Sequence, residues 1–284
     1  MKYSFCDGWE FTPHWDEDFG KGLPVENQES VRLPHTCKEV PLHYASPADY
    51  EMLCGYRKRF RVPSRQEAPR LFLRFDGAAH QATVWVNGQL AGQHRGGYTA
   101  FTVEITDLVD REKENLLTVQ LDTHEDPTVP PFGFVIDYLT YGGLYREVWL
   151  ETSAESRLTD LFVYTPTLQS AVVQWTAEHL EQIVNIRVRL ETVDGKVLTE
   201  QTTEKTEKGE LHFSVPEAEP WDTEHPVLHR GVAELLDAVG QAVERKQVTF
   251  GFRTAEFQAD GFYLNGKKTF LRGLNRHQSY PYIG

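Results

Sequence analysis

The sequence predicts an all-β protein: a jelly-roll sandwich, then an immunoglobulin-like sandwich, then the opening of a third domain. Three observations carry that reading. Apolar residues recur at spacing two in short runs that stop at Gly, Asn, Asp or Pro, the pattern of half-buried strands. Asn-Gly and Asp-Gly pairs sit between such runs, where they suit tight hairpins. No repeat, low-complexity tract or long amphipathic helix interrupts the pattern.

Up to Ser153, Leu71–Phe75 and Ala82–Val86 are clear strand runs. Asn87-Gly88 follows the second, and both residues tolerate the positive φ of a type I′ turn. Leu116–Leu121 and Tyr145–Leu150 continue the pattern across long connections bearing Pro and Gly. Roughly eight strands in such a length suit a jelly roll. From Ala154 the runs become evenly spaced: Leu161–Tyr164, Ala171–Trp175 and Ile183–Thr192, the last turning at Asp194-Gly195. About seven short strands there suit an immunoglobulin-like sandwich. It has no cysteine pair, and Pro216–Pro226 around Trp221 is its longest irregular crossing. The expected domains are 1–153, 154–255 and 256–284. In the third, Asn265-Gly266 marks a hairpin and Thr269–Arg272 a strand. Chains below about 40 residues rarely fold unaided, so this last domain is expected to be cut.

With 284 residues, 40% hydrophobic and 25% charged, the chain can bury a sizeable core. Its 29 basic and 42 acidic residues leave a net charge of −13, which repels phosphate backbones and anionic lipid. Nucleic acid is therefore not an expected partner. The balance shifts along the chain, from 15 basic and 22 acidic groups in 1–150 to 4 and 2 in 256–284. No window reaches the roughly 18 consecutive apolar residues of a membrane helix. Met1–Asp7 lacks the apolar stretch of a signal peptide, so a cytoplasmic protein without a membrane partner is expected. Cys6, Cys37 and Cys54 are odd in number and lack CxxC spacing, which points to buried free thiols rather than a disulfide framework or structural zinc. His225 and His229 stand at helical metal-ligand spacing, but beside Pro226 in a stretch that reads as loop and strand. Dinucleotide, phosphate-loop, zinc-protease and serine-hydrolase motifs are absent.

Three clusters depart from ordinary sandwich sequence. Arg74–Gly88 runs on through Gly92 to Gly96-Gly97-Tyr98 and Phe101. Residue by residue it reads as a paired strand, a tight turn and a loop, with Trp85 in the core or at its rim. Phe132–Asp137 with Tyr141–Leu150 makes an aromatic, glycine-rich loop bearing a carboxylate. Such loops suit sugars, because pyranose C–H faces stack on rings while carboxylates accept hydroxyl hydrogen bonds. Gly273–Pro281 sets polar side chains directly after a strand, where a barrel's first strand would aim them into an active site.

In this order the clusters resemble glycoside hydrolase family two, the group of β-galactosidases, β-glucuronidases and β-mannosidases. The resemblance rests on Ala82–Gly88 with Gly96-Gly97-Tyr98, on Gly143–Leu150, on Pro220-Trp221 with Glu224–Leu228, and on Phe262–Lys267 through Leu271–His277. It spans nearly the whole chain. It implies a jelly-roll, galactose-binding-like sandwich, an immunoglobulin-like sandwich and the first strand of a truncated TIM barrel.

Asp137 falls where the family places a first-domain carboxylate that contacts the sugar in the −1 subsite and, in β-galactosidases, helps to hold a monovalent cation. Read alone, it is a loop Asp making a turn hydrogen bond. His277 falls on the barrel histidine that hydrogen-bonds substrate hydroxyls and favours the oxocarbenium-like transition state; read alone, it is a structural His under a loop. Asn275 and Arg276 would fix that loop and pair with barrel acids. Gln278 departs from the acid often found there in β-galactosidases, which leaves the sugar open. The implied partner is a β-linked oligosaccharide or glycoside. No cofactor is implied for this chain itself, while Na+ or Mg2+ and a homo-oligomeric state belong to the full-length parent.

Retaining glycosidases need two carboxyl groups about 5 to 5.5 Å apart. In this family both are glutamates far along a barrel of roughly 200 residues or more. The chain is therefore expected to hold part of a sugar pocket without the catalytic pair. Its parent is expected to be a retaining β-glycosidase, a β-galactosidase first and a β-glucuronidase second. The rival is a stand-alone carbohydrate-binding module, in which Phe262–Gly284 would have no evident use.

Overall fold

Alternating burial and left-handed turn residues build the molecule strand by strand. A computed structural model of the chain describes residues 1–40, 46–130 and 141–276, and these divide between Ser153 and Ala154 into two compact units. The first unit contains β1 (Lys2–Ser4), β2 (Trp9–Thr12), α1 (Glu17–Gly20), β3 (Glu29–Val31), α2 (Pro47–Tyr50), β4 (Leu53–Phe60), β5 (Arg70–Phe75), β6 (Gln81–Val86), β7 (Gln89–Arg95), β8 (Phe101–Glu104), β9 (Asn115–Asp122) and β10 (Val148–Ser153). They form two sheets, ordered β1-β10-β5-β8 and β3-β2-β4-β9-β6-β7. Along β6 the burial alternates strictly, with Ala82, Val84 and Val86 inward. These meet Leu71, Leu73 and Phe75 of β5 in one core that also holds Trp9, Tyr56 and Leu121. Fully burying each large side chain is worth about 1.5–3 kcal/mol, so the inward set holds the sheets face to face.

Asn87 and Gly88 carry the chain from β6 into β7 with φ of 52° and 77°, the type I′ geometry. The Asn87 carboxamide donates to Asn115 Oδ1 at 2.8 Å and to the Leu108 carbonyl at 2.9 Å, which pins the turn against β9. Trp85 lies at the rim, stacked on Trp15 at 5.5 Å. The run Tyr145–Leu150 becomes strand only from Val148. Tyr145 and Arg146 serve other loops instead: the Tyr145 hydroxyl donates to the Gly97 carbonyl, and the Arg146 guanidinium to the Tyr98 carbonyl at 3.2 Å.

The second unit contains β11 (Arg157–Thr167), β12 (Ser170–Glu178), β13 (Asn185–Thr192), β14 (Val197–Glu204), β15 (Lys208–Ser214), β16 (His229–Leu236) and β17 (Ala242–Phe250). Sheets ordered β11-β12-β15 and β14-β13-β16-β17 give the immunoglobulin-like arrangement of three strands on four. Trp175, Val188, Leu190, Leu235 and Phe252 fill its cysteine-free core. The β13–β14 hairpin departs from type I′. Only Gly195 is left-handed, at φ 94°, and a register shift follows Leu190, so the loop uses a bulge. The crossing around Trp221 is tied down by its N–H bond to the Phe252 carbonyl at 2.8 Å.

The second unit also contains β18 (Ala255–Gln258), β19 (Gly261–Leu264) and β20 (Lys267–Thr269), a three-stranded antiparallel sheet that turns at Asn265 and Gly266, with φ of 52° and 74°. The strand expected over Thr269–Arg272 lies earlier, because pairing with β19 ends at Thr269 opposite Phe262. Residues 270–276 have no regular structure, and the described residues hold no barrel. Among the described residues no helix is long and apolar enough to cross a membrane.

Candidate functional site

The two glycines of the second sequence cluster explain how the site is built. A Cβ on Gly142 would stand 2.5 Å from Thr123 Cγ2, and one on Gly143 only 2.4 Å from the His35 carbonyl oxygen. Only glycine allows such close backbone approach, and Gly143 also needs its φ of 135°. The segment is thereby threaded between two others. On one side the Cys37 and His35 amides donate to the Gly142 and Leu144 carbonyls, both at 2.9 Å. On the other, Ala79 and Gly143 exchange backbone bonds at 3.0 and 3.2 Å. That pair joins the first and second sequence clusters, and the neighbouring His80 carbonyl accepts from the Gly96 amide at 2.9 Å within the first.

A cleft of about 500 Å³ opens beside this junction, lined by Glu29, Pro34, His35, Thr36, Cys37, Lys38, Glu39 and Tyr145. Burial holds the His35 imidazole below its ordinary value, against the opposing pull of Glu29 and Glu39, so at pH 7 it is neutral. Its Nδ1 lies 2.9 Å from the Tyr56 hydroxyl, whose own ionisation burial suppresses. Burial also raises Tyr145, with Arg146 opposing, and keeps its phenol protonated. The walls thus combine two carboxylates, a neutral imidazole, an ammonium and an aromatic ring. Such a set can exchange hydrogen bonds with neutral hydroxyls.

Of the residues that the sequence singled out, Asp137 and His277 lie outside the described residues, as does the possible cation site at Asp137. Asn275 and Arg276 are exposed on irregular backbone. His225 and His229 do not share a site: the His225 side chain is 76% exposed, while His229 is buried between Phe250 and Phe252. Among the described residues no three carboxylate, imidazole or thiol side chains converge as a metal set. The wall made by residues 34–39 was not found from sequence, because that stretch has neither period nor motif. Its only signal is the Gly-Gly pair against which it packs.

The sheets build a jelly roll followed by an immunoglobulin-like sandwich, and the first carries a polar and aromatic cleft. The chain belongs to glycoside hydrolase family two. Residues 26–154 match the family model "Glycosyl hydrolases family 2, sugar binding domain", and residues 156–253 match "Glycosyl hydrolases family 2". A β-galactosidase of Thermoanaerobacter pseudethanolicus is 35% identical over 99% of this chain and 39% of its own length. A putative β-glucuronidase of Formosa agariphila is 31% identical over 97% and 34%. A crystal structure of a putative β-galactosidase from Bacteroides fragilis superposes with a TM-score of 0.85 at 27% identity, covering all of this chain and 46% of the other. The fold also matches a β-glucuronidase of Bacteroides uniformis, with a TM-score of 0.86 at 24% identity over 36% of that chain. The chain spans about two fifths of the curated relatives it matches, and corresponds to their N-terminal domains.

Proposed function

We propose that this chain frames the sugar-binding side of a retaining β-glycosidase that releases terminal β-linked sugars, with β-galactosides as the first substrate class. The observation that supports it is the order of parts: a family-two sugar-binding sandwich whose Gly142–Leu144 backbone holds the His35–Cys37 wall of a polar cleft, followed by the second family-two domain. In this reading Asp137 contacts the sugar in the −1 subsite and His277 bonds a substrate hydroxyl most strongly in the transition state. Asn275 and Arg276 hold the segment that carries His277, and residues 256–284 open the catalytic barrel. The acid/base and nucleophile belong to the part of the longer relatives that this chain does not span. The cation beside Asp137 stays a proposal, and the framing role does not depend on it. β-Glucuronides are the second reading, favoured by Gln278 in place of an acid and by β-glucuronidases among the relatives.

The test is turnover of nitrophenyl β-galactoside and β-glucuronide by this chain alone and by a form extended through a barrel. The chain alone is expected to be inactive, since removing both catalytic carboxyl groups costs many orders of magnitude in rate. The extended form should cleave the galactoside. Turnover by the chain alone, free of host enzyme, would overturn the proposal.

A further inference from the structure

The outer face of the β11-β12-β15 sheet carries two aromatic rings that the core does not use. Along β11, Leu161 and Val163 turn to the core, which leaves Phe162 and Tyr164, two positions apart, 53% and 40% exposed on the other face. Their rings lie within 29° of parallel, with centroids 6.2 Å apart. The register sets polar groups beside them: Phe162 stands opposite Gln174 of β12 and then Glu210 of β15, and Tyr164 opposite Val172 and then His212. The Gln174 carboxamide donates to Glu210 Oε2 at 2.9 Å, and His212 Nε2 lies 3.2 Å from Glu210 Oε1. These bonds, that of Gln174 first, hold the Glu210 carboxyl below its ordinary range, so it is ionised at pH 7. Val172 faces away from the core that takes Ala171 and Val173, yet is only 2% exposed, so its neighbours on this face close over it.

We propose that this face is a second sugar-binding surface, for a neutral β-linked oligosaccharide, with Phe162 and Tyr164 as its stacking platform and Gln174, Glu210 and His212 as its hydrogen-bonding edge. The C–H face of a pyranose is slightly positive and packs on the electron-rich face of an aromatic ring. Hydroxyls at the sugar's rim then meet a carboxylate and a carboxamide, which accept from O–H groups, the carboxylate more strongly. An anionic sugar would bring its carboxylate against Glu210, and like charges repel. A protein partner fits less well. A stable interface buries about 800 Å² on each side and keeps charged residues from its centre. Here Glu210 shares a cross-strand row with Phe162, and Asp160 and Lys208 end the next row. A second point of attachment would raise the local concentration of a polymeric substrate. The choice of a galactose-type sugar rests on the β-galactoside reading above, but the surface is tested by binding and that reading by turnover, so the two can fail separately.

The experiment titrates the folded chain with a β-linked galactotetraose and follows its backbone amide resonances. The expected result is saturable binding, with shifts gathered around Phe162, Gln174 and Glu210. Phe162→Ala and Tyr164→Ala should each weaken binding about two- to tenfold, the contribution of one stacked ring. Both side chains are exposed, so neither change should move the melting temperature by more than a few degrees. Glu39→Gln, in the cleft of the first unit, should leave the titration unchanged. A hyaluronan tetrasaccharide, β-linked but anionic, should bind about twofold or more weakly. Four outcomes would overturn the proposal: no shift at millimolar galactotetraose, shifts that gather on the 34–39 wall and vanish in Glu39→Gln, undiminished binding by the double ring variant, or a dimer of this chain that the ring variants abolish. Binding here without cleavage of the galactoside by the extended form would uphold this surface and count against the substrate reading alone. The wild-type shift map decides the matter even if a ring variant fails to fold.

Discussion

At Gly143 a side chain would meet two obstacles together, a left-handed φ of 135° and a carbonyl oxygen 2.4 Å from its Cβ. Gly143→Ala is therefore expected to cost about 2–4 kcal/mol, read as a lower urea midpoint at unchanged slope. Gly88→Ala is the control. Its φ of 77° is strained, but nothing lies within 4 Å, so about 1 kcal/mol should be lost. His229 makes a second residue-scale prediction. It is 3% exposed, with the rings of Phe250 and Phe252 at 5.9 and 4.9 Å, and burial holds its pKa below the ordinary value of 6.5 against the pull of Glu219. His35 is shifted in the same direction. The unfolded chain then binds protons more readily than the folded one. Stability from these groups is complete above about pH 6.5 and declines as pH falls below it. Urea unfolding between pH 8 and 5.5 should show this decline, and His229→Gln should flatten part of it. An equal slope in the variant would mean that His229 is not held neutral by the fold.

On the four-stranded sheet of the second unit, charge is arranged across strands. Glu234 of β16 stands opposite Arg187 of β13, accepts from Arg187 Nε and Arg189 Nη2 at 2.9 Å each, and keeps only 7% of its side chain exposed. Glu191, 6% exposed, reaches Arg189 at 3.0 Å. Removing one partner of a buried pair leaves the other uncompensated, so Glu234→Ala should cost about 2–4 kcal/mol. Glu17→Ala, which breaks the exposed Lys21–Glu17 pair, should cost less than about 1 kcal/mol. Comparable losses for both would show that burial does not set the strength of these pairs. Elements were legible where a local rule decides them: Asn87-Gly88 and Asn265-Gly266 turn as their residue types require. They were misread where a distant partner decides. Tyr145 and Arg146 look like strand, but their side chains tie Gly97 and Tyr98. Asp194-Gly195 looks like a two-residue turn, but a bulge lengthens it. The glycine pair announced the candidate site, whereas the wall at His35 and Cys37 gains meaning only through its backbone bonds to Leu144 and Gly142, about a hundred positions away. The roles of Asp137 and His277 rest on family resemblance alone.

At the scale of the molecule, stability resides in two cores that share no residue, one within Phe5–Leu150 and the other within Leu158–Phe252. Each is closed by its own pair of sheets. The sequence sets Asp137 in an aromatic, glycine-rich connection between runs of strand, away from the alternating positions that supply those cores. Its two possible roles therefore separate cleanly. A carboxylate that accepts sugar hydroxyl bonds in a desolvated pocket is worth about 1.5–3 kcal/mol per bond, and its loss leaves those hydroxyls unpaired. Asp137→Ala in the longer, barrel-bearing protein should then lower kcat/KM by about tenfold or more. His277→Ala should act chiefly on kcat, since its proposed bond strengthens in the transition state. In the present chain neither change should move the melting temperature by more than a few degrees, the shift expected for less than about 1 kcal/mol at this size. Kinetics and melting must be read together. If Asp137→Ala leaves the longer enzyme's kinetics intact yet unfolds this chain, the carboxylate is a structural turn residue, and its assignment to the −1 subsite is wrong.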